Sequence, residues 1–548
     1  MFLRRHFSIV GLLAGTFFFA LSLTPSLLPR TEMIQGITSG LALSVGYAVG
    51  VFLTWLWNYF ELPCFTQVKI LRYLYYSALA ICILTLLIFL WQASEWQNNL
   101  RVLLEIEEQA RIRSYIVGLI AVPIFLALTL IGRLFLLIQY RVSRKLKQYI
   151  PRRVAFVTGL VTAFILFWSI IDGVLFTLIL NSADSSYRQI DKAMEAEQEQ
   201  PQDPMLCGSP ESYIDWEDMG VYGREYLSIG PTAEDIEAIT GDTAKDPIRV
   251  YAGKLAATSF KERAELALQE LKRVNAFDRS LLTIITPTGT GWVDPKALAP
   301  LEYLHRGDVA SVSAQYSYLP SGLSLMFEGE YGAKMARELF LAVYGHWTEL
   351  PEDDRPDLYL HGLSLGALNS DHSFDHFDIM DDPFDGALWS GPPFRTPTWQ
   401  RVTAERDEAS PAWLPEFRGG SVVRFANQHG GLEEGREEWG DFRIAFLQYA
   451  SDPITFLSPD YATEEPEWLK EPRGPDVSDE MEWYPFVTLV QLITDMSAGT
   501  EYMGYGHKYA PEHYLDSWVA LTEPEGWSEE ELQELRRWFA EEWEMKDS

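Results

Sequence analysis

The sequence predicts two architectures in one chain: a bundle of about five transmembrane helices, then a domain with a mainly parallel sheet flanked by helices. Apolar runs long enough to cross a bilayer are confined to the residues before Asn181. Beyond that residue, short apolar runs typical of buried strands alternate with segments of helical periodicity. The 548 residues also exceed what one hydrophobic core ordinarily supports. We therefore expect a transmembrane domain over 1–181, a polar linker over 182–208 and an α/β domain over 209–548.

The predicted transmembrane domain has a clear charge asymmetry. Five apolar runs have the length of a membrane span, at roughly 7–27, 35–59, 74–93, 115–138 and 154–180. Cytoplasmic loops carry an excess of Lys and Arg. With a cytoplasmic N-terminus, ten such residues fall inside and four outside. An odd number of spans then places the α/β domain outside the cytoplasm, and we expect the first run to be retained because it lacks an AxA-like cleavage site.

Two ionisable residues lie within these predicted spans, Arg133 in the fourth and Asp172 in the fifth. Their expected depths differ, so we do not expect them to pair. Arg133 is close enough to the cytoplasmic end to extend its guanidinium toward the membrane surface. For Asp172 we expect a structural contact within the bundle. The helices are thus predicted to anchor the α/β domain or to present lipid to it.

The remainder of the chain is strongly acidic. Up to Asn181 there are 15 Lys and Arg against 7 Asp and Glu, and beyond it 29 against 70. Such a domain is a poor candidate for binding nucleic acid, whose phosphates require basic side chains. The three cysteines, Cys64, Cys82 and Cys207, show no paired spacing, so neither a disulfide framework nor a zinc site is expected.

The α/β domain should contain seven strands and, less securely, an eighth. The predicted strands are 248–251, 280–286, 309–315, 357–361, 386–390, 422–426 and 443–449, with 500–504 as the weakest. The most periodic helices are expected over 259–274, 331–346 and the acidic C-terminal run. Residues 394–440 read as an insertion that could cover a site as a lid. An ordinary surface elaboration is the alternative.

The fourth of these strands leads into a GxSxG pattern, Gly362-Leu-Ser364-Leu-Gly366. In such a turn a strand passes abruptly into a helix, and its central residue is strained, so small residues are needed on either side. The turn exposes the serine hydroxyl, and the helix that follows points its free N–H groups at the same place. Ser364 is therefore the candidate nucleophile.

A nucleophilic serine needs an imidazole to take its proton and a carboxylate to orient that imidazole. The expected chain order is serine, then acid, then histidine. Asp452 follows a predicted buried strand, and of the histidines beyond it His507 lies in a glycine-flanked loop, whereas His513 falls in a predicted helix. We expect His507 to be the base and keep His513 as an alternative. Rival acids are Asp460 and the cluster Asp375, Asp378, Asp381 and Asp382, and the earlier histidines His361, His372 and His376 are expected to be packing or surface residues.

The oxyanion formed by such a serine needs two backbone N–H donors. One should come from Leu365, directly after the nucleophile, and the other from the glycine-rich loop Thr288-Gly289-Thr290-Gly291, so we name Gly289 and Thr290. The loop is a poor match to a phosphate-binding loop, because no lysine follows it. Arg224, before the α/β fold, could bind a substrate phosphate or carboxylate, but an ordinary ion pair is the simpler expectation.

Several further motifs resemble one family, the bacterial membrane-anchored α/β-hydrolases, in which a multi-helix membrane domain precedes a hydrolase domain. The resemblance covers nearly the whole chain and rests on Thr24-Pro-Ser-Leu-Leu-Pro-Arg30, Gly46-Tyr47 with Gly50, Thr286-Pro-Thr-Gly-Thr-Gly-Trp292, Gln315-Tyr-Ser-Tyr-Leu-Pro-Ser321, the elbow at Ser364, Gly391-Pro-Pro-Phe394, Gln448-Tyr-Ala-Ser-Asp-Pro453 and Gly506-His507. It implies an α/β-hydrolase fold and a lipase or esterase activity.

Together these observations predict a membrane-anchored serine hydrolase that cleaves carboxylic esters with Ser364, His507 and Asp452, without a metal or organic cofactor. Because the helices hold the site at a membrane, the bilayer is the expected partner and lipid or envelope-glycan esters are the expected substrates. An acyltransferase with the same three residues is one alternative. The other is a non-catalytic envelope assembly protein that uses the fold as a binding module. Protein partners are not indicated.

Overall fold

A computed structural model describes residues 7–63, 67–109, 113–170, 199–321, 323–324, 329–433 and 435–542. The chain divides into two compact units. The helical unit comprises Met1–Ser182, Leu457–Lys470 and Pro475–Tyr502, and the sheet unit comprises Ala183–Phe456, Glu471–Gly474 and Met503–Ser548. Asp172 and most of the predicted linker lie outside the described residues.

The bounds of the helices and strands follow the chain. The α-helices are α1 (Ile9–Leu21), α2 (Glu32–Tyr59), α3 (Val68–Leu103), α4 (Ser114–Leu146), α5 (Arg152–Trp168), α6 (Gly220–Ile229), α7 (Ala233–Thr240), α8 (Phe260–Arg273), α9 (Pro295–Leu304), α10 (Tyr331–Trp347), α11 (Leu365–Asp371), α12 (His376–Ile379), α13 (Pro397–Ala404), α14 (Val487–Asp495), α15 (Pro511–Thr522) and α16 (Glu529–Glu541). The strands are β1 (Ile248–Ala252), β2 (Leu281–Thr286), β3 (Val309–Ala314), β4 (Asp357–Leu363), β5 (Gly386–Ser390), β6 (Val423–Ala426) and β7 (Arg443–Leu447).

Three helices of the described residues, α2, α3 and α4, are long and apolar enough to cross a membrane. Helix α1 has only 13 residues, so the predicted span at 7–27 is too long: Ser22 and Thr24 turn their hydroxyls back onto backbone carbonyls, and the helix ends at Leu21. Helix α5 ends at Trp168, and the rest of the predicted fifth span, 171–180, lies outside the described residues. The count of five spans therefore stays a prediction.

Helix α2 packs against α1 through two glycines. A Cβ atom at Gly46 would lie 2.6 Å from the Ala14 carbonyl oxygen, and one at Gly50 would lie 2.6 Å from that of Val10. Small residues allow membrane helices to approach to backbone contact, where dispersion replaces the hydrophobic effect as the source of attraction. Near the start of α1, the Arg133 guanidinium of α4 lies 4.9 Å from the centre of the Phe7 ring.

The helical unit also includes two segments from far along the chain, 457–470 and 475–502, which the sequence placed in the α/β domain. Helix α14 of the second segment lies against α2, where Thr38 Oγ1 donates to Thr494 Oγ1 at 2.8 Å. Gln491 Nε2 donates to the carbonyl oxygen of Thr24 at 3.2 Å. Both contacts are buried. The first segment of the helical unit ends at Ser182, close to the predicted boundary, and these two later segments are an addition that the sequence did not predict.

A buried ion pair joins these distant segments. Arg30 Nε lies 2.5 Å from Asp495 Oδ1, and neither side chain is exposed to solvent. The second carboxylate oxygen accepts hydrogen bonds from Ser26 Oγ and from the N–H of Leu27. Arg30 also donates to Gln35 Oε1 at 3.1 Å. These bonds offset part of the cost of burying two charges, while Arg30 Nη2 has no hydrogen-bond partner among the described residues.

The sheet unit is built on one seven-stranded sheet with the order β1-β3-β2-β4-β5-β7-β6 and parallel pairing throughout. Strands β2, β3, β4 and β5 are buried almost completely, as expected for a parallel sheet covered on both faces. Thr286 pairs with Gly362, Leu363 with Ser390, and Ser390 with Leu447. The carboxyl ends of β2, β4, β5 and β7 therefore meet at one edge.

All seven of the more secure strand predictions are confirmed to within two residues. The weak prediction at 500–504 is wrong: these residues form successive turns, with the Glu501 N–H bonded to Ala498 and the Gly504 N–H to Lys508. Gly504 adopts φ 78°, which a strand does not allow. The predicted insertion at 394–440 contains α13 and the edge strand β6, so part of it belongs to the sheet. Its role as a lid stays a prediction.

Removing the carboxylate of the buried pair should destabilise the helical unit. In Asp495→Ala the Arg30 charge stays buried without a partner, so we expect a loss of about 3–5 kcal/mol in unfolding free energy. This loss should lower the midpoint of thermal unfolding of the full chain in detergent. Arg30→Met combined with Asp495→Leu should recover most of it, because apolar side chains of similar volume need no counter-charge.

The control for this comparison is Glu330→Gln, which removes an exposed ion pair with Lys334. Such pairs contribute little, and the midpoint should not change. An unaltered midpoint in Asp495→Ala would mean that the buried pair does not hold these segments together.

Candidate active site

Ser364 lies between the end of β4 and the first residue of α11. Its φ of 58° and ψ of −122° fall in a region that residues with a side chain rarely occupy. A Cβ at Gly362 would lie 2.3 Å from the Gly366 carbonyl carbon, and one at Gly366 would lie 2.3 Å from the Thr286 carbonyl oxygen. Backbone atoms thus leave no room for a side chain at Gly362 or Gly366, which agrees with the predicted requirement for small residues on both sides of Ser364.

Asp452 and His507 are brought together from positions 55 residues apart. His507 Nδ1 lies 2.7 Å from Asp452 Oδ2, and Asp452 is completely buried. The carboxylate also accepts the N–H groups of Ile454 at 2.8 Å and Thr455 at 3.3 Å, and the Thr455 hydroxyl at 3.2 Å. With these donors supplied to the carboxylate, an Nδ1–H tautomer of His507 would complete its hydrogen bonds.

The turn after β5 connects the serine to the histidine. The Ser364 N–H donates to the Ser390 carbonyl oxygen at 3.0 Å. At the next residue, Gly391, φ is 50° and a Cβ would lie 2.5 Å from Cε1 of the His507 ring. Ser364 and His507 thus contact two consecutive residues of one turn. Within the described part of the chain, the buried His507 Nε2 has no hydrogen-bond partner.

The two predicted sources of oxyanion donors also meet at this edge. Leu365 is the first residue of α11, and helix geometry leaves its N–H without an intrahelical acceptor. The loop 288–291 directly follows the end of β2, which Gly366 touches. Gly289 already donates to Ser321 Oγ at 3.3 Å, and Gln315 Nε2 donates to the Thr290 carbonyl oxygen at 2.9 Å. The Gly289 N–H is thus engaged elsewhere, and the roles of Gly289 and Thr290 as oxyanion donors stay predictions.

Sequence reasoning missed Tyr509, whose hydroxyl donates to Asp452 Oδ2 at 2.7 Å. Burial, and then the charge of Asp452, raises the pKa of this phenol well above its usual range, so it remains a donor. The sequence feature that could have indicated Tyr509 is its position two residues after His507. Gly506 adds another link, because its N–H donates to Ser451 Oγ at 2.9 Å. The acid and the base are thus joined through neighbours on both sides.

The other histidines occupy different places. His361 is buried in β4 with Nδ1 2.8 Å from the Leu388 carbonyl oxygen, and burial lowers its pKa to about 4. His513 lies in α15 with Nδ1 2.6 Å from the Tyr449 hydroxyl, and burial lowers its pKa to about 3. His372 and His376 are exposed. The structure therefore gives His507, and not His513, a carboxylate partner.

The rival acids also have other contacts. Asp375 and Asp378 form a capping box at α12, and Asp378 pairs with Arg337 at 2.8 Å. Asp382 binds Arg355 through both oxygens, while Asp381 and Asp460 are exposed. Arg224 is buried within α6. A search of the described residues finds no group of His, Cys, Asp and Glu side chains that could hold a metal ion.

Residues 248–535 match the model of the alpha/beta-hydrolase family. This chain belongs to the alpha/beta-hydrolase family. Residues 23–231 match the model of that family's N-terminus, so the apolar helices belong to an α/β-hydrolase architecture with its own helical extension. In the same comparisons no curated protein and no solved structure matched. The expected family and fold are confirmed, and the strand order of this α/β-hydrolase places Ser364 at the centre of its sheet.

The crowding at the elbow predicts the effect of adding one carbon atom. Gly366→Ala would force a Cβ against the Thr286 carbonyl oxygen, which belongs to a paired strand and has little freedom to move. We expect a loss of about 2–3 kcal/mol in unfolding free energy, measured by denaturant or thermal unfolding of the full chain.

Gly345→Ala is the matched control, because a Cβ there meets no atom within 4 Å. Since Gly345 lies within α10, alanine should raise the stability by about 0.5–1 kcal/mol. If both substitutions changed the unfolding free energy equally, Gly366 could not lie as close to the Thr286 carbonyl oxygen as the structure shows.

Proposed function

We propose that this α/β-hydrolase is a serine hydrolase that cleaves carboxylic esters. The observation that carries the proposal is the buried hydrogen bond between Asp452 and His507, whose Nε2 has no partner within the described residues. Ser364, in a strained backbone conformation, bonds to Ser390, and the next residue, Gly391, contacts the imidazole. Strain of this kind persists only where the surroundings over-determine it, and it concentrates at functional sites. Nucleophile, base and orienting acid would thus occur in the order typical of this fold.

In the proposed reaction, Ser364 Oγ attacks the ester carbonyl carbon while His507 Nε2 takes the hydroxyl proton. The developing oxyanion accepts hydrogen bonds from the N–H groups of Leu365 and Thr290. The His507 imidazolium is stabilised by Asp452 and then protonates the leaving alcohol, which yields an acyl-enzyme. Water, deprotonated by the same imidazole, attacks the acyl carbon and releases the carboxylic acid. Ser364 regains its proton from His507.

Location supports a choice among ester substrates. Helices α2, α3 and α4 are compatible with a membrane anchor, and the family's N-terminal region is part of this chain. An anchored hydrolase encounters lipid and envelope esters at high local concentration. We infer that such esters are the substrates. The excess of Lys and Arg in the predicted inner loops supports a cytoplasmic N-terminus with the sheet unit on the opposite side of the membrane.

Covalent labelling tests the proposed nucleophile directly. Full-length protein in detergent should react with a fluorophosphonate probe, because this reagent captures serines that a neighbouring base has activated. Ser364→Ala should abolish labelling. His507→Ala should reduce the labelling rate by roughly 10⁴-fold or more, since residues of such a triad act as a unit. The measurement is probe fluorescence per folded molecule.

Ser410→Ala and His429→Ala are the matched controls, since both side chains lie in loops outside the elbow and the Asp452 network. They should label like the unchanged protein. A folded protein that does not label, or a Ser364→Ala variant that still does, would contradict the hydrolase proposal. Labelling without ester hydrolysis, but with transfer to an added alcohol, would establish acyl transfer instead.

The contact between Gly391 and the imidazole gives a second test. Alanine at this position would place a methyl group 2.5 Å from His507 Cε1 and would disfavour φ 50°. The imidazole must then move, and displacements of about 1 Å can cost 10²-fold in rate. For Gly391→Ala we expect kcat for a soluble nitrophenyl ester to fall by about 10²-fold at nearly constant KM. An unchanged kcat would show that the position of His507 does not limit the reaction.

A further inference from the structure

A cavity lies in the sheet unit, outside the candidate active site. It has a volume of about 780 Å³ and is lined by one face of α13, the segment 417–423 and the beginning of β7. Its walls are largely apolar and include Phe374, Val402, Phe417, Phe442 and Ile444. Cavities that bind small ligands have volumes of about 300–1,000 Å³ and this mixture of apolar walls with a few polar groups. We call it the β6 cavity.

The β6 cavity belongs to a different part of the sheet from the candidate active site. Val423 and Ile444, which line it, lie at the beginnings of β6 and β7. Asp452 instead follows the end of β7, and Ser364 follows the end of β4. None of the three proposed catalytic side chains lines the cavity. The cavity therefore lies where the parallel strands begin, and the candidate active site lies where they end.

Most of the charged groups that line the cavity already have protein partners. Asp371 accepts the N–H of Thr398 at 2.8 Å and its hydroxyl at 2.6 Å. Asp375 accepts the N–H of Phe377 at 2.7 Å, and Arg337 is paired with Asp378 at 2.8 Å. The polar atoms of these groups are therefore largely bonded, although the donors to Asp371 and Asp375 are neutral and do not offset a carboxylate charge.

Two arginines at the cavity are only weakly engaged. Arg401 lies 3.8 Å from Glu405, and both side chains are more than half exposed, so this pair contributes little. Arg418 forms no ion pair with a described residue and lies over the Phe417 ring at 5.0 Å. Its φ of 50° is unfavourable for a residue with a side chain. Both guanidinium groups stand on an otherwise strongly acidic part of the chain.

We propose that the β6 cavity binds a long-chain fatty acid, with the acyl chain against the apolar walls and the carboxylate held by Arg401 and Arg418. A guanidinium presents paired N–H donors that match a carboxylate, which is ionised at neutral pH. Val422, which lines the cavity, is 40% exposed, so the cavity reaches the protein surface. The site is independent of the proposed esterase chemistry.

Photo-crosslinking of the full-length protein tests this site. The probe is palmitic acid that carries a diazirine in its chain, and the comparison probe is the corresponding diazirine hexadecanol. After irradiation, mass spectrometry should place the acid in peptides that contain 397–404 and 417–423. Excess palmitate should compete for labelling. Arg401→Gln with Arg418→Gln should lower it about tenfold, and the alcohol should label these peptides about tenfold less than the acid.

Three variants separate the possible explanations. Arg395→Gln is the matched control, because this exposed arginine also stands over the preceding phenylalanine but does not line the cavity; labelling should persist. Val402→Trp should abolish labelling by filling the cavity. Ser364→Ala should label normally, even if the hydrolase proposal fails. Equal labelling by acid and alcohol, cross-links confined to α1–α5, or loss of labelling in Ser364→Ala would overturn the proposal.

Discussion

The close crossing of the elbow over the end of β2 is the constraint on which the candidate active site depends. Because Gly366 touches the Thr286 carbonyl oxygen, the first turn of α11 and the loop that follows β2 have a fixed separation. Ser364 must take its strained conformation to pass from β4 into this helix. The same crossing therefore positions the hydroxyl, the N–H of Leu365 and the loop that carries Thr290. The proposed ester hydrolysis would require these three groups to be fixed before the substrate arrives.

The second requirement is a buried carboxylate that stays available to His507. Isolation from water would make the Asp452 charge costly if its lone pairs had no donors. Backbone N–H groups of Ile454 and Thr455 supply two of them, and the side chains of Thr455 and Tyr509 supply two more. These donors come from both sides of the segment 457–502, which packs largely within the helical unit. The chain thus leaves the sheet unit a few residues after Asp452 and returns a few residues before His507.

Local patterns explain which parts of this structure were predictable from sequence. Buried parallel strands are continuous apolar runs, so the bounds of β1 to β7 could be predicted closely. The turn at Ser364 could be recognised from the glycines on either side, Gly362 and Gly366. Asp452 and His507 follow from chain order together with strand ends. By contrast, the pairing of Arg30 with Asp495 joins residues 465 positions apart and leaves no periodic trace. The same holds for the β6 cavity, which exists only because distant segments meet.

Helix α11 shows why two sites can coexist on one short element. A helix of two turns is unstable alone, so its position must come from tertiary contacts. At its start, Ser364 and Gly366 are locked against β5 and β2. At its end, Ser370 accepts the Trp389 indole N–H at 3.0 Å, and Asp371 binds Thr398 of α13. The contacts at the start of α11 are separate from the β6 cavity, whereas Asp371 and Thr398 at its end line that cavity. A ligand there would therefore contact the end of α11 and leave the strained conformation of Ser364 to the contacts at its start.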